Sequence, residues 1–253
     1  MNSTIFSFLL TTIAGLSTML GTIIIFFKNK RVEKVIAASL AFASGVMLTV
    51  SITDLIPESL SLLNTSHSSF TTILMTLSFI IIGIIISMLI DYYLPDQKIN
   101  ITSNNKTLYK VGIISMLAII LHNIPEGIAT FITSNSNLTL GISLTIAIAL
   151  HNIPEGISIS VPIYYSTGSK LTAIKYTLIS ALSEPLGAII AFLFLAPFVT
   201  STFLGILFAI IAGIMSHISL CELLPTSKKY QLPKLTSIFF LLGSIFMLIN
   251  ILI

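Results

Sequence analysis

Apolar residues gather in eight long runs, at about residues 4–27, 35–60, 70–93, 111–133, 138–163, 172–197, 202–224 and 235–253, separated by short polar stretches. A helix crossing a bilayer needs roughly 20 apolar residues, so each run is long enough to span. The pattern predicts an all-α integral membrane protein with eight transmembrane helices, filling residues 1–253 as a single domain. Residues 94–110, polar and rich in asparagine, read as a flexible loop between the third and fourth spans. The first run has no basic segment ahead of its apolar stretch, and the basic residues follow it, so it reads as a retained helix and not a cleaved signal.

Composition sharpens this picture. With 55% hydrophobic residues, 8% charged and a mean hydropathy of +1.05, the chain lacks the polar surface of a soluble domain. Its formal charge of +3 is carried by short basic clusters between apolar runs, which excludes a nucleic-acid footprint. The single cysteine, Cys221, forbids an internal disulfide and reads as a small buried hydrophobe.

The basic residues also orient the chain. Lys28, Lys30, Arg31 and Lys34 follow the first run; Lys98, Lys106 and Lys110 follow the third; Lys170 and Lys175 the fifth; Lys228, Lys229 and Lys234 the seventh. The alternate loops and both termini carry none. Because cytoplasmic loops accumulate Lys and Arg, both termini are predicted outside, in the inner or plasma membrane, with 94–110 cytoplasmic.

Glu33, Asp91 and Asp96 lie in or beside the basic loops, which leaves Asp54, Glu58, Glu126, Glu155, Glu184 and Glu222 within predicted spans. An intramembrane carboxylate costs a few kcal/mol and marks a functional site by default. Lys175 aside, at the basic-loop end of the sixth run and more than two turns from Glu184, no Lys or Arg lies in the spans, so protons or an imported cation must balance their charge. The fourth span contains His122-Asn123-Ile124-Pro125-Glu126-Gly127, and the fifth repeats it unchanged as His151-Asn152-Ile153-Pro154-Glu155-Gly156. On a helix, residues four apart share a face, so His122 stacks with Glu126 and His151 with Glu155, the asparagines lying on the flank. Antiparallel spans place His122 near the level of Glu155, and Glu126 near His151. Such a cage of mixed nitrogen and oxygen donors suits a borderline divalent metal, with zinc, iron(II), manganese, cobalt and cadmium all open. Glu184, before Pro185 in the sixth span, lies at similar depth and is a candidate for a metal or proton role. Asp54 and Glu58 near the outer end of the second span, and His217 and Glu222 near the inner end of the seventh, are candidate gate or relay residues. Asp54-Leu-Ile-Pro57-Glu58-Ser59 also echoes Glu222-Leu-Leu-Pro225-Thr226-Ser227 in a span of opposite direction, the sign of an inverted repeat.

On these two hexapeptides and eight spans the sequence resembles the ZIP (Zrt/Irt-like) metal transporters, in particular the bacterial ZupT-type zinc importers. The resemblance implies a 3+2+3 inverted repeat and uptake of divalent metal into the cytoplasm through a binuclear centre. It implies one site at His122, Glu126, His151 and Glu155, and a second at Asn123, Glu126, Asn152, Glu155 and Glu184, with the two glutamates bridging. No catalytic cofactor follows; the expected partners are the transported ion and the lipid bilayer, with a homodimer as a candidate assembly. The 94–110 segment lacks the His-rich cluster of many members. Readings of other classes are an intramembrane metal-dependent enzyme and a proton-coupled carrier of another solute. A metalloprotease of the His-Glu-x-x-His type lacks its motif here, since both histidines precede asparagine.

The charge asymmetry makes a direct prediction: a cysteine at Asn135 labels with an impermeant thiol reagent on intact cells, and one at Ser103 does not. The reverse pattern would invert the topology.

Overall fold

The computed structural model describes residues 3–27, 31–93, 103–195 and 200–251, and all regular structure among them is helical. Among the described residues, seven helices are long and apolar enough to cross a membrane: α1 (Ser3–Phe26), α2 (Val32–Asn64), α3 (Ser69–Tyr93), α4 (Ser103–Ser136), α5 (Leu138–Thr167), α6 (Lys170–Phe194) and α7 (Ser201–Lys228). A shorter apolar helix, α8 (Pro233–Ile251), follows. Tight reversals separate α4, α5 and α6. Asn137 caps α5 by accepting the Leu140 amide, Gly168 ends it at φ 71°, and Ser169 caps α6 by accepting the Thr172 amide.

Two expectations change. The helix of the fourth span begins at Ser103, not near residue 111, so residues 103–110 are helical and not loop; residues 94–102 lie outside the described residues. Hydropathy marks only the lipid-facing part of a helix, and α4 continues past it, held by an ion pair of 2.8 Å between Lys110 and Asp91 of α3 and by a hydrogen bond of 2.9 Å between the Tyr109 and Tyr176 hydroxyls. Cys221 is exposed, not buried.

The prolines are accommodated in two ways. α4 and α5 remain helical through Pro125 and Pro154. In α2 and α7 the backbone instead widens into a π turn just ahead of the proline, at Ser51–Leu55 before Pro57 and Ile218–Leu223 before Pro225. A wide turn relieves the clash and the lost hydrogen bond that proline imposes on an α-helix. The sixth helix breaks at Leu182, two residues before Glu184 and three before Pro185.

Glycines set how the helices meet. In lipid no hydrophobic force drives helices together, so close backbone approach at small residues does. Four reciprocal crossings occur. A Cβ on Gly45 would strike the carbonyl of Phe240, and one on Gly243 that of Phe42; Gly83 and Gly213 meet the carbonyls of Ile210 and Ile80 in the same way. Gly127 and Gly187 meet those of Glu184 and Ile124, and Gly156 and Gly21 those of Thr18 and Ile153. The first two crossings join α2 to α8 and α3 to α7; the last two join α4 to α6 and α1 to α5.

Joined by the extensive α4–α5 and α2–α7 interfaces, these pairs form two bundles, α1/α4/α5/α6 and α2/α3/α7/α8, and the crossings relate α1 to α6, α2 to α7, α3 to α8 and α4 to α5. Hydrogen bonds obey the same relation. Ser59 donates to the Gly205 carbonyl at 2.7 Å with Thr76 Oγ1 at 3.3 Å, and Ser227 donates to the Ala37 carbonyl at 2.7 Å with Thr236 Oγ1 at 3.0 Å. The register that aligns Gly45 with Gly213 also aligns Asp54 with Glu222 and Pro57 with Pro225. The sequence echo is therefore part of an internal repeat.

Because Gly83 has backbone, not a flexible side chain, against its Cα, Gly83→Val should overpack the α3–α7 crossing by about 1–3 kcal/mol. Its thermal unfolding midpoint in detergent is expected to fall well below that of Ile81→Val, which alters a lipid-facing residue 56% exposed.

Candidate metal centre

All seven residues of the predicted ion site sit in the first bundle. α4 supplies His122, Asn123 and Glu126, α5 supplies His151, Asn152 and Glu155, and α6 supplies Glu184 just after its break. Each is buried, Asn123, Asn152 and Glu184 fully so. The glycine that closes each hexapeptide explains the placement: Gly127 and Gly156 let α6 and α1 press against the turn that carries the glutamate, so the polar face is covered by protein and not lipid.

The side chains converge across the α4–α5 interface. His151 Nε2 lies 2.9 Å from Glu126 Oε1 in a hydrogen bond. His122 Nε2 stands 3.4 Å from Glu126 Oε2 and 3.6 Å from Glu155 Oε1. The two imidazole rings are 6.1 Å apart between centroids. Candidate ligand atoms of His122, Glu126 and His151 all lie within 4.8 Å of one another. On the flank, Asn152 donates its amide to Glu184 Oε2 at 2.9 Å and to the Ala14 carbonyl at 3.0 Å.

Many polar atoms of this cluster have no hydrogen-bond partner although buried: both His122 nitrogens, both amide atoms of Asn123, His151 Nδ1, Asn152 Oδ1, Glu126 Oε2, both Glu155 oxygens and Glu184 Oε1. Native proteins leave few buried polar groups unpaired, and those left together call for a ligand or solvent. The donor set, imidazole nitrogen with carboxylate and amide oxygen, is that of a borderline divalent cation.

The outlying candidates fall in the second bundle. Asp54 is half-buried on the π turn of α2 and interacts electrostatically with His151 and Glu126 across the seam. Glu58, one turn further, is exposed. Half-buried Glu222 lies in the field of Asp91, Lys110 and Lys229. His217 bonds through Nδ1 to the Ser87 hydroxyl at 2.9 Å, which links α7 to α3. Neither Glu58, His217 nor Glu222 is among the residues joined in the central cluster.

The family model described as "ZIP Zinc transporter" matches residues 96–251. A "Zinc transporter ZupT" of Campylobacter jejuni is 43% identical, with 88% of this chain and 87% of the relative covered. One of Clostridium perfringens is 39% identical over 100% of this chain and 97% of its own, and one of Lysinibacillus sphaericus 42% identical over 89% and 88%. This chain belongs to the ZIP zinc transporter family. As a ZIP protein it is a multi-pass membrane protein, consistent with its seven span-length helices.

The two hexapeptides of this ZIP chain are identical in sequence but not in their hydrogen bonding. Glu184 has Thr18 as its repeat equivalent on α1, so only Asn152 has a carboxylate to pair with. In chelator, Asn152→Leu strands a Glu184 oxygen, while the Ala14 carbonyl keeps the Ser17 hydroxyl, and should cost about 1–3 kcal/mol, whereas Asn123→Leu removes atoms already unpaired and should be neutral or stabilising. Thermal unfolding of the metal-free variants checks the order.

Proposed function

We propose that this ZIP protein carries zinc, and the chemically similar ions iron(II), manganese, cobalt and cadmium, into the cytoplasm across the inner or plasma membrane. It does so as a carrier and not an enzyme, with eight spans and both termini outside. The observation that carries this reading is the set of unpaired buried nitrogen and oxygen atoms converging from His122, Glu126, His151 and Glu155. The relatives named above, each called a zinc transporter, support zinc as the cargo.

In this reading the ion first meets Asp54, which already feels the central charges. It is then bound by His122, Glu126, His151 and Glu155. Glu126 and Glu155 bridge to a second position completed by Asn123, Asn152 and Glu184. Glu222, the repeat equivalent of Asp54, receives it on the cytoplasmic side, where Lys110 and Lys229 help to release it. Exposed Glu58 acts at the outer mouth, and His217, already held by Ser87, positions α7. A ligand carboxylate must be deprotonated and a ligand imidazole neutral, so protons compete with the ion, and apparent affinity weakens as pH falls.

Uptake of radioactive zinc and cadmium into proteoliposomes tests the cage. Loss of a partner merely supporting a metal ligand costs about 10–100-fold in affinity or activity, and loss of a ligand should cost at least as much. His122→Ala, Glu126→Ala, His151→Ala and Glu155→Ala should each lower uptake by that factor or more while inserting normally. Normal uptake by both glutamate variants would rule the site out. Glu184→Gln keeps an oxygen for Asn152 and should retain binding at the cage, but calorimetry in buffers of different ionisation enthalpy should find fewer protons released per ion. Unchanged release would make Glu184 structural.

A further inference from the structure

A groove of about 520 Å³ opens on the seam between the two bundles, where α1 and α5 face α2 and α8. Its walls are apolar, with Phe27, Phe42, Ile157 and Phe239 among them, and its charged residue is Lys34 at the start of α2. Lys234 precedes Leu235, another wall residue, on the first turn of α8 and is exposed, as is Lys34. An apolar groove with one lysine on its wall and a second next to a wall residue matches one ligand chemistry, an acyl chain attached to an anionic headgroup. Basic pockets between spans at the cytoplasmic surface bind such lipids.

The internal repeat supplies a control within the molecule. The register that pairs Gly45 with Gly213 places Thr202 at the equivalent of Lys34, and Ile206 and Leu207 at the equivalents of Ala38 and Ser39. Ala38 and Ser39 line the groove. One copy of the repeat therefore has two small residues beneath a lysine, and the other has two large aliphatic residues beneath an uncharged threonine. Packing of the α2–α8 crossing does not require this difference, because the glycines and carbonyls that make both crossings are the same in kind.

We propose that this groove is a binding site for an anionic phospholipid of the bilayer, its acyl chain lying against Phe27, Phe42 and Phe239 and its phosphate on Lys34. That the lipid belongs to the inner leaflet rests on the orientation proposed above; the binding itself depends neither on orientation nor on transport. The chain seats between helices of different bundles, so it packs against both sides of the seam at once.

The test uses the full chain in nanodiscs of phosphatidylcholine mixed with phosphatidylglycerol, released into detergent for native mass spectrometry. Wild type should retain phosphatidylglycerol in preference to phosphatidylcholine. Lys34→Gln, an exposed substitution, should lower that preference about fivefold, the value of one lysine near an anionic headgroup. The double variant Ala38→Ile, Ser39→Leu, which copies the other repeat, should lose retention of both lipids. Equal retention of the two lipids by wild type, or a preference unchanged in Lys34→Gln, would overturn the proposal, and Lys34→Gln alone decides it if the double variant does not fold. Loss of zinc uptake in the cage variants with lipid retention intact separates this site from the ion site.

Discussion

Everything at the centre of this molecule follows from carboxylates buried where, among the described residues, no Lys or Arg pairs with them. Glu126, Glu155 and Glu184 sit at 7%, 1% and 0% exposure, and the ion-pair partners of Glu126 and Glu155 in the cluster are its own two histidines. A buried charge is tolerable only when paired and hydrogen-bonded. Here one strong contact, His151 to Glu126, is made, while Glu155 has neither oxygen bonded. A fold selected only for stability would replace such a cluster with apolar side chains of equal volume, which is often neutral or stabilising. Keeping it makes sense if a mobile positive charge completes it.

The scaffold brings those groups together through close backbone contact. Each glutamate of the hexapeptides is followed by a glycine that brings another helix's carbonyl against its own turn. Interhelical hydrogen bonds support the same arrangement within each bundle: Ser17 reaches the Ala149 carbonyl and Ser160 the Gly21 carbonyl between α1 and α5, while Ser44 and Ser219 each donate to the other's carbonyl between α2 and α7. Across the seam the contacts are mostly apolar, a cluster that includes Leu40, Met47, Ile159 and Ile211.

Much of this was legible in the sequence, for identifiable reasons. Period and spacing put His122 with Glu126, because a helix face depends only on the number of residues per turn, whereas the hydrogen bond of His151 goes to Glu126 of the other motif. The pairing of one motif with the other followed from span direction, which the lysines mark. The Asp54 and Glu222 echo was visible because proline and acid are rare in apolar helices. Other features left weaker traces. The start of α4 at Ser103 is not apolar and so escaped a hydropathy reading. The π turns have no residue signature beyond the proline that follows them. Gly127 and Gly156 stood in the motif from the start, but their role is a contact with α6 and α1, and no local pattern names a distant carbonyl.

The division into bundles bears on how a buried ion could be exposed first to one side and then to the other. All seven residues of the proposed ion site belong to α4, α5 and α6, and the close approaches that fix them, Gly127 on Glu184, Gly187 on Ile124 and Gly156 on Thr18, lie within the same bundle. Asp54 and Glu222 belong to the other. A shift of one bundle against the other would therefore leave the cage geometry intact and change only what the cage faces. Such a shift would slide mainly apolar surfaces and would also strain the Lys110–Asp91 ion pair, which joins α4 to α3 across the seam. That pair is about one-third exposed on both sides, so water can replace its partners at little cost. Carriers built from inverted repeats alternate by rocking one part around a fixed site, and here the glycine–carbonyl approaches that fix the site lie within one bundle, while the seam is packed mainly by apolar side chains, which can slide without breaking hydrogen bonds.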